Sequence, residues 1–210
     1  HHSDHLQGLD DLVFSRWIDM SLRGEAGAKI RLPVIAPDGP LADFLEQLLD
    51  PWREDIKVRK ADMGREDGPE MNLTLFEASR ALEPVWELGD VRVLATRVQH
   101  DPVIPSVGYR IEAPDGVVAI TGDTTVCDEV GLLAEGADVL VHEPMLSEAV
   151  IGTPRESIMH YHSDSVGIGE TAKSAGVKSL MLTHMIPAPD AIENGVARYE
   201  AAVRSGGFTG

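Results

Sequence analysis

The spacing of apolar residues changes several times along this chain, and each change marks an element. In "LQGLDDLVFSRWI", Leu9, Leu12, Val13 and Trp17 recur at helical spacing and predict an amphipathic helix. "RLPVIA" is a short apolar run that reads as a strand. In "DGPLADFLEQLLD", Asp38 stands at the N-cap position, Pro40 in the first turn, and Leu41, Phe44, Leu45 and Leu48 form a stripe, so a second helix is expected. "IKVRKA", "NLTLFEA", "VRVLATRV" and "VGYRIEA" read as further strands. The turn from Pro114 to Gly116 joins the last of these to "VVAITGD" as a hairpin.

The second half has another rhythm. "DVLVHE" and "SLMLTH" read as strands, while "SDSVGIGETAKSAG" and "DAIENGVARYEAAVRSG" read as helices that each close at a glycine. Strand pairs first and alternating strand–helix units later predict an α/β protein with a mixed sheet. No repeat or linker divides the chain, so residues 1–210 are expected to form a single domain.

Composition narrows the function. Hydrophobic residues make up 43% and charged residues 25%, the proportions of an ordinary globular protein. No apolar run approaches the roughly 20 residues that span a bilayer, so no membrane partner is expected. The one cysteine, Cys127, allows no internal disulfide and suits a reducing, cytoplasmic setting. It stands at the start of a predicted helix and reads as a buried small residue. With 35 acidic against 18 basic residues and a net charge of −17, the chain is a poor partner for a long nucleic acid. A small anionic ester substrate fits better, because bound cations offset the charge locally. Trp17, Trp52 and Trp86 are too dispersed for a stacking platform and are expected in the core. "DMGREDGPE" reads as a solvated loop.

The histidines are the candidate chemistry. His1, His2 and His5 share the first loop with Asp4, and His160 and His162 share a later one. His100, His142 and His184 each end an apolar strand-like run, as does Asp123. A lone histidine at a strand end is usually a satisfied structural residue. Four such ends, together with "HHSDH", point instead to convergence outside the carboxyl ends of the strands. Imidazole and carboxylate are zinc-type ligands, and two cations sharing a carboxylate can activate a water together.

These residues resemble the metallo-β-lactamase superfamily of binuclear metal hydrolases, in the branch of ribonuclease Z, arylsulfatase-like enzymes and small phosphodiesterases. The family's first motif is H-x-H-x-D-H, and "HSDHLQG" supplies its second His as His2, its Asp as Asp4 and its last His as His5. His1 falls on the variable position. The motif's first His would precede residue 1, so the resemblance implies an αββα sandwich lacking its N-terminal strands. His100 resembles the lone-histidine motif, Asp123 in "ITGDT" the bridging aspartate, and His184 in "LMLTH" the final ligand. The resemblance thus implies two zinc ions, with Mn or Fe as alternatives. One would take the absent His, His2 and His100; the other would take Asp4, His5 and His184, with Asp123 between them.

Ribonuclease Z-like proteins also carry a "HEAT" loop and a "HST" loop, whose Glu–His pair is associated with proton transfer. "HEPM" gives Glu143 and "YHSD" gives His162 in those places. The structural readings are an exposed strand end for Glu143 and a loop residue for His162. His142 alternates away from Glu143 and is expected to be structural or to support the ligand residues.

The implied reaction is attack of zinc-bound hydroxide on a phosphodiester, sulfate ester or related ester. Asp4 would orient or deprotonate the water, and His162 with Glu143 would protonate the leaving group. A tRNA 3′-end endonuclease ranks second. Residues 101–122 leave no room for an inserted tRNA-gripping arm between His100 and Asp123, and "MIPAPD" after the last His lacks the serine- and arginine-rich continuation of the tRNA enzymes. A non-catalytic, metal-binding regulatory member is the alternative from another class, and a homodimer is compatible with the sequence.

Overall fold

The structure, a computed structural model, describes residues 2–24 and 31–210. It divides into two compact units, residues 1–77 and 78–210, which are taken in turn.

The first unit opens with a short 3₁₀ turn at Ser3–His5, followed by helix α1 at Leu9–Ser21. Gly8, at φ +84°, takes the left-handed conformation that starts α1 without strain. Val13, Trp17 and Met20 are the buried positions, whereas Leu12 of the predicted stripe is 54% exposed. Trp17 is therefore in the core as expected, but Trp52 is 44% exposed. Trp52 instead covers the helix, packing edge-on against Phe14 at 5.9 Å and donating from Nε1 to Asp10 at 3.0 Å.

Strand β1, Leu32–Pro37, pairs in parallel with β2, Met71–Phe76. Helix α2 spans Pro40–Gln47, with Pro40 in its first turn as predicted. Gly39 is the cap residue, because Asp38 bends back to accept from the Gly39 amide at 2.9 Å. The residues that α2 buries are Ala42 and Leu45, while Phe44 lies at the surface.

"IKVRKA" is not a strand. It lies in helix α3, Arg53–Met63. Glu54 and Asp55 complement the N-terminal end of the helix dipole, Lys60 the C-terminal end, and Asp55 pairs with Arg59 at 2.8 Å. Gly64, at φ +62°, closes the helix. Alternation over six residues was outweighed by charge placement over eleven.

The second unit contains one mixed sheet in the order β3-β4-β5-β6-β7-β8, among the described residues. Its strands are β3 Glu83–Leu88, β4 Val91–Val98, β5 Ser106–Ala113, β6 Gly116–Ile120, β7 Val139–His142 and β8 Ser179–Leu182. The β3 to β6 pairs are antiparallel, and β6, β7 and β8 are parallel. The predicted hairpin is present, with Ala113 opposite Gly116. Strand β3 was not predicted; its proline and two glutamates mask it, and all three are tolerated on an edge strand.

Helices α4 (Asp128–Ala134), α5 (Ser147–Val150), α6 (Ser165–Ser174) and α7 (Gly195–Ser205) complete the unit. One core joins Ala119 and Leu140 of the sheet to Leu133 of α4, Ala172 of α6 and Val203 of α7. Arg110 of β5 donates to the Leu133 and Glu135 carbonyls at 2.9 and 2.8 Å and so caps the end of α4. Asp164 caps α6, accepting from the Val166 amide at 3.0 Å. The stretch predicted as one last helix is a 3₁₀ turn at Pro189–Ala191 followed by α7. Cys127 is the half-buried N-cap residue of α4, Trp86 is half-buried, and no described helix is long and apolar enough to cross a membrane.

Candidate metal centre

Strand β4 runs in the same sense as β6, since each is antiparallel to β5. Strands β7 and β8 share that sense. All four therefore deliver their C-terminal ends to one side, which is where the strand-end residues of the second unit meet.

Asp123 is the centre of the group. Its Oδ2 lies 3.9 Å from His100 Nε2 and 3.9 Å from His184 Nε2. Those separations are too long for hydrogen bonds but bring three ligand atoms to one point. His162 belongs to the same cluster: ligand atoms of Asp123, His162 and His184 lie within 4.8 Å of one another. The His162 ring stacks on that of His184 at 5.8 Å and meets the His100 ring edge-on at 5.2 Å. Asp123 and His100 are buried, whereas His184 is about one-third exposed (32%).

The supports of these side chains set their chemistry. His100 Nδ1 donates to the Tyr161 carbonyl at 2.7 Å, which orients the ring with Nε2 facing Asp123. His184 has φ +50°, a left-handed conformation that a residue with a Cβ adopts at a cost. Such strain persists only where the surrounding loop determines it. Two imidazoles and a carboxylate, one imidazole oriented through its other nitrogen by a carbonyl, suit a divalent ion of the zinc type.

Glu143 is 2% exposed, which removes its reading as a surface strand end. Its Oε1 accepts from His162 Nδ1 at 2.9 Å and from the amides of Thr124 and Ser163, both at 3.3 Å. Because Oε1 already accepts two backbone N–H groups, the His162 bond runs from imidazole to carboxylate. Burial pushes the Glu143 carboxyl above its ordinary range, and the His162 contact offsets part of that rise.

His142 is buried beside the pair and donates from Nδ1 to the Glu143 carbonyl at 3.0 Å. Burial lowers its pKa to about 4, so it is a neutral imidazole near neutral pH. His160 is exposed. His2, Asp4 and His5 lie in the first unit, exposed around the Ser3–His5 turn, with His5 Nε2 at 3.8 Å from Asp4 Oδ2. His1 lies outside the described residues.

Comparison with known proteins agrees with the fold. The profile of the Beta-lactamase superfamily domain matches residues 1–185. A putative ribonuclease Z of Mycobacterium tuberculosis is 33% identical over 193 residues, covering 89% of this chain and 81% of that protein. The chain belongs to the metallo-β-lactamase superfamily, in its ribonuclease Z branch. The ribonuclease Z of Mycobacterium bovis is also 33% identical over 193 residues, and this chain spans 65% of its length. Among solved structures, the metallo-β-lactamase fold protein YhfI from Bacillus subtilis matches with a TM-score of 0.65 at 21% identity, covering 96% of this chain and 69% of that one. The mixed α/β architecture described above thus agrees with the superfamily's αββα fold.

Sequence reading missed two participants, Thr124 and Ser163. Both are fully buried and both donate backbone amides to Glu143. Their only signal was position, each directly after a candidate residue, in "GDT" and "YHS".

Proposed function

We propose that this protein is a divalent-metal-dependent phosphodiester hydrolase of the ribonuclease Z kind, acting on RNA 3′ ends. The observation that carries the reading is the buried Glu143–His162 pair, 2.9 Å apart, beside the Asp123, His100 and His184 cluster. Ribonuclease Z relatives at 33% identity favour an RNA phosphodiester over the small esters that the sequence alone ranked first.

His100, Asp123 and His184 are the ligands offered by the second unit, and His2, Asp4 and His5 are added on the family resemblance alone. On that resemblance these residues would hold a pair of zinc-type ions, and such ions would supply Lewis acidity and an activated water. Asp4, on the same resemblance, would orient or deprotonate that water. The chain's own proton donor is His162. Its Nδ1 is committed to Glu143, so the proton it can deliver to a leaving oxygen sits on Nε2. The carboxylate of Glu143 stabilises the imidazolium that gives up this proton and holds the ring plane.

A second reading, hydrolysis of a small phosphodiester or sulfate ester, is favoured by the net charge of −17 and by the hairpin that fills the space between His100 and Asp123. The test is to give the metal-loaded protein precursor tRNA, a small aryl phosphodiester and an aryl sulfate at one stated salt concentration. Site-specific cleavage at the tRNA 3′ end supports the ribonuclease. Turnover of a small ester without tRNA cleavage puts the second reading first.

A further inference from the structure

Thr124 has no exposed surface and makes four hydrogen bonds with nitrogen or oxygen, besides a 3.8 Å contact from its hydroxyl to Cys127 Sγ, in a loop where a turn alone would need none of them. Its amide donates to Glu143 Oε1 at 3.3 Å. Its carbonyl accepts from Ser163 Oγ at 2.6 Å, which holds the residue after His162. Its hydroxyl accepts from the Gln99 amide at 3.1 Å and donates to the Thr125 carbonyl at 2.8 Å. Thr125 returns a backbone bond to the Gln99 carbonyl at 2.8 Å. One side chain therefore stands in for a strand rung between the residue before His100 and the residue after Asp123.

We propose that Thr124 is a positioning residue: its hydroxyl fixes the Asp123–Thr125 segment to the end of β4, and through that segment fixes the Glu143–His162 pair. The inference rests on the reading of that pair as the proton donor. Removing the hydroxyl leaves the half-buried Gln99 amide without its acceptor. The loop then loses the register that aims the Thr124 amide at Glu143, and the Ser163 clamp moves with it. Threonine is suited to the place, since its methyl fills a fully buried site while its oxygen serves two backbone groups at once.

Two variants separate positioning from packing. Thr124→Val keeps the shape and loses the hydroxyl, whereas Thr124→Ser keeps the hydroxyl and loses a methyl. Each should be prepared in the full protein with metal and tested on aryl phosphodiesters whose leaving phenols differ in acidity. Valine should lower kcat about tenfold for the least acidic phenol, roughly the worth of a lost hydrogen bond to a charged group, and leave KM and metal content unchanged. The loss should shrink as the phenol becomes more acidic, and serine should restore most of the rate.

A second readout needs no turnover. Nitrogen-15 correlation spectra of the imidazoles should show His162 protonated at Nδ1 in the parent and in the serine variant, and a mixture of ring tautomers in the valine variant. A valine variant with unchanged kcat and an unchanged His162 signal would overturn the proposal. So would equal losses across all phenols, or a serine variant no better than valine. If the parent hydrolyses none of these substrates, the functional reading fails by itself, while the His162 signal still decides the tether.

Discussion

The Nδ1 atom of His162 donates to Oε1 of Glu143 across 2.9 Å, with the two side chains only 8% and 2% exposed. A pair so placed is shielded from bulk water, and its remaining free nitrogen is Nε2. His162→Ala should then reduce turnover by about 10²- to 10⁴-fold, the usual worth of a positioned general acid. The reduction should be greatest for poor leaving groups, because acidic phenols need little protonation. Metal content, read by elemental analysis, should not change. Loss of bound metal in this variant would make His162 a ligand, as its place within 4.8 Å of Asp123 and His184 would allow.

Asp123 Oδ2 lies 3.9 Å from both histidine nitrogens, and that symmetry separates its variant from those of its neighbours. The complete protein is expected to bind about two zinc-type ions. Asp123→Ala should lower occupancy of both, since one carboxylate faces His100 and His184 alike. His184→Ala should chiefly lower one. Titration of chelator-treated protein gives the stoichiometry directly, and an absence of uptake would remove the hydrolase mechanism.

Helices α6 and α7 cross where each offers glycine at or near the contact. A Cβ on Gly169 would stand 2.1 Å from the Val203 carbonyl, and one on Gly206 would stand 2.2 Å from the Val166 carbonyl. Neither obstacle is a flexible side chain, so the helices would have to separate. Gly169→Ala should destabilise the fold by about 1–3 kcal/mol, the cost of overpacking a tight core. Gly131, inside α4, has open space around its missing Cβ. Gly131→Ala should therefore stabilise by about 0.5–1 kcal/mol. Thermal unfolding of both variants checks the opposite signs.

Much of this was legible from sequence because the strands of the second unit are apolar runs that stop at His100, Asp123, His142 and His184. The first unit was harder to read. "IKVRKA" alternates like a strand, yet the Asp55–Arg59 pair and the Gly64 cap that make it a helix act over a longer window. In the stripe of α1, Leu12 and Val13 cannot be ranked by spacing, and packing buries only Val13. Glu143 could be placed on a loop but not assigned a depth, since its burial depends on Thr124 and Ser163 arriving from distant segments. Backbone amides carry no residue code, so supports of this kind leave no motif.

Asp138 shows how pH should act on the fold apart from the metal centre. Its carboxylate accepts from Lys178 Nζ at 2.5 Å and from the Val117 amide at 2.7 Å, tying the start of β6 to the approach to β8. The Lys178 contact, then the Val117 amide, hold its pKa below the ordinary value of 3.8. A carboxyl group whose pKa is depressed by folding contributes its stability above the unfolded value and loses it as pH falls through the folded one. Asp138→Asn should therefore be less stable than the parent near neutral pH, and the difference should shrink once the pH drops below 3.8. Because the Lys178 side chain is 72% exposed, added salt should narrow the difference as well. Denaturant unfolding of both proteins from about pH 7 to about pH 3 measures it. A gap that stays constant over that range would mean that the Asp138 charge contributes nothing and that only its hydrogen-bond geometry matters.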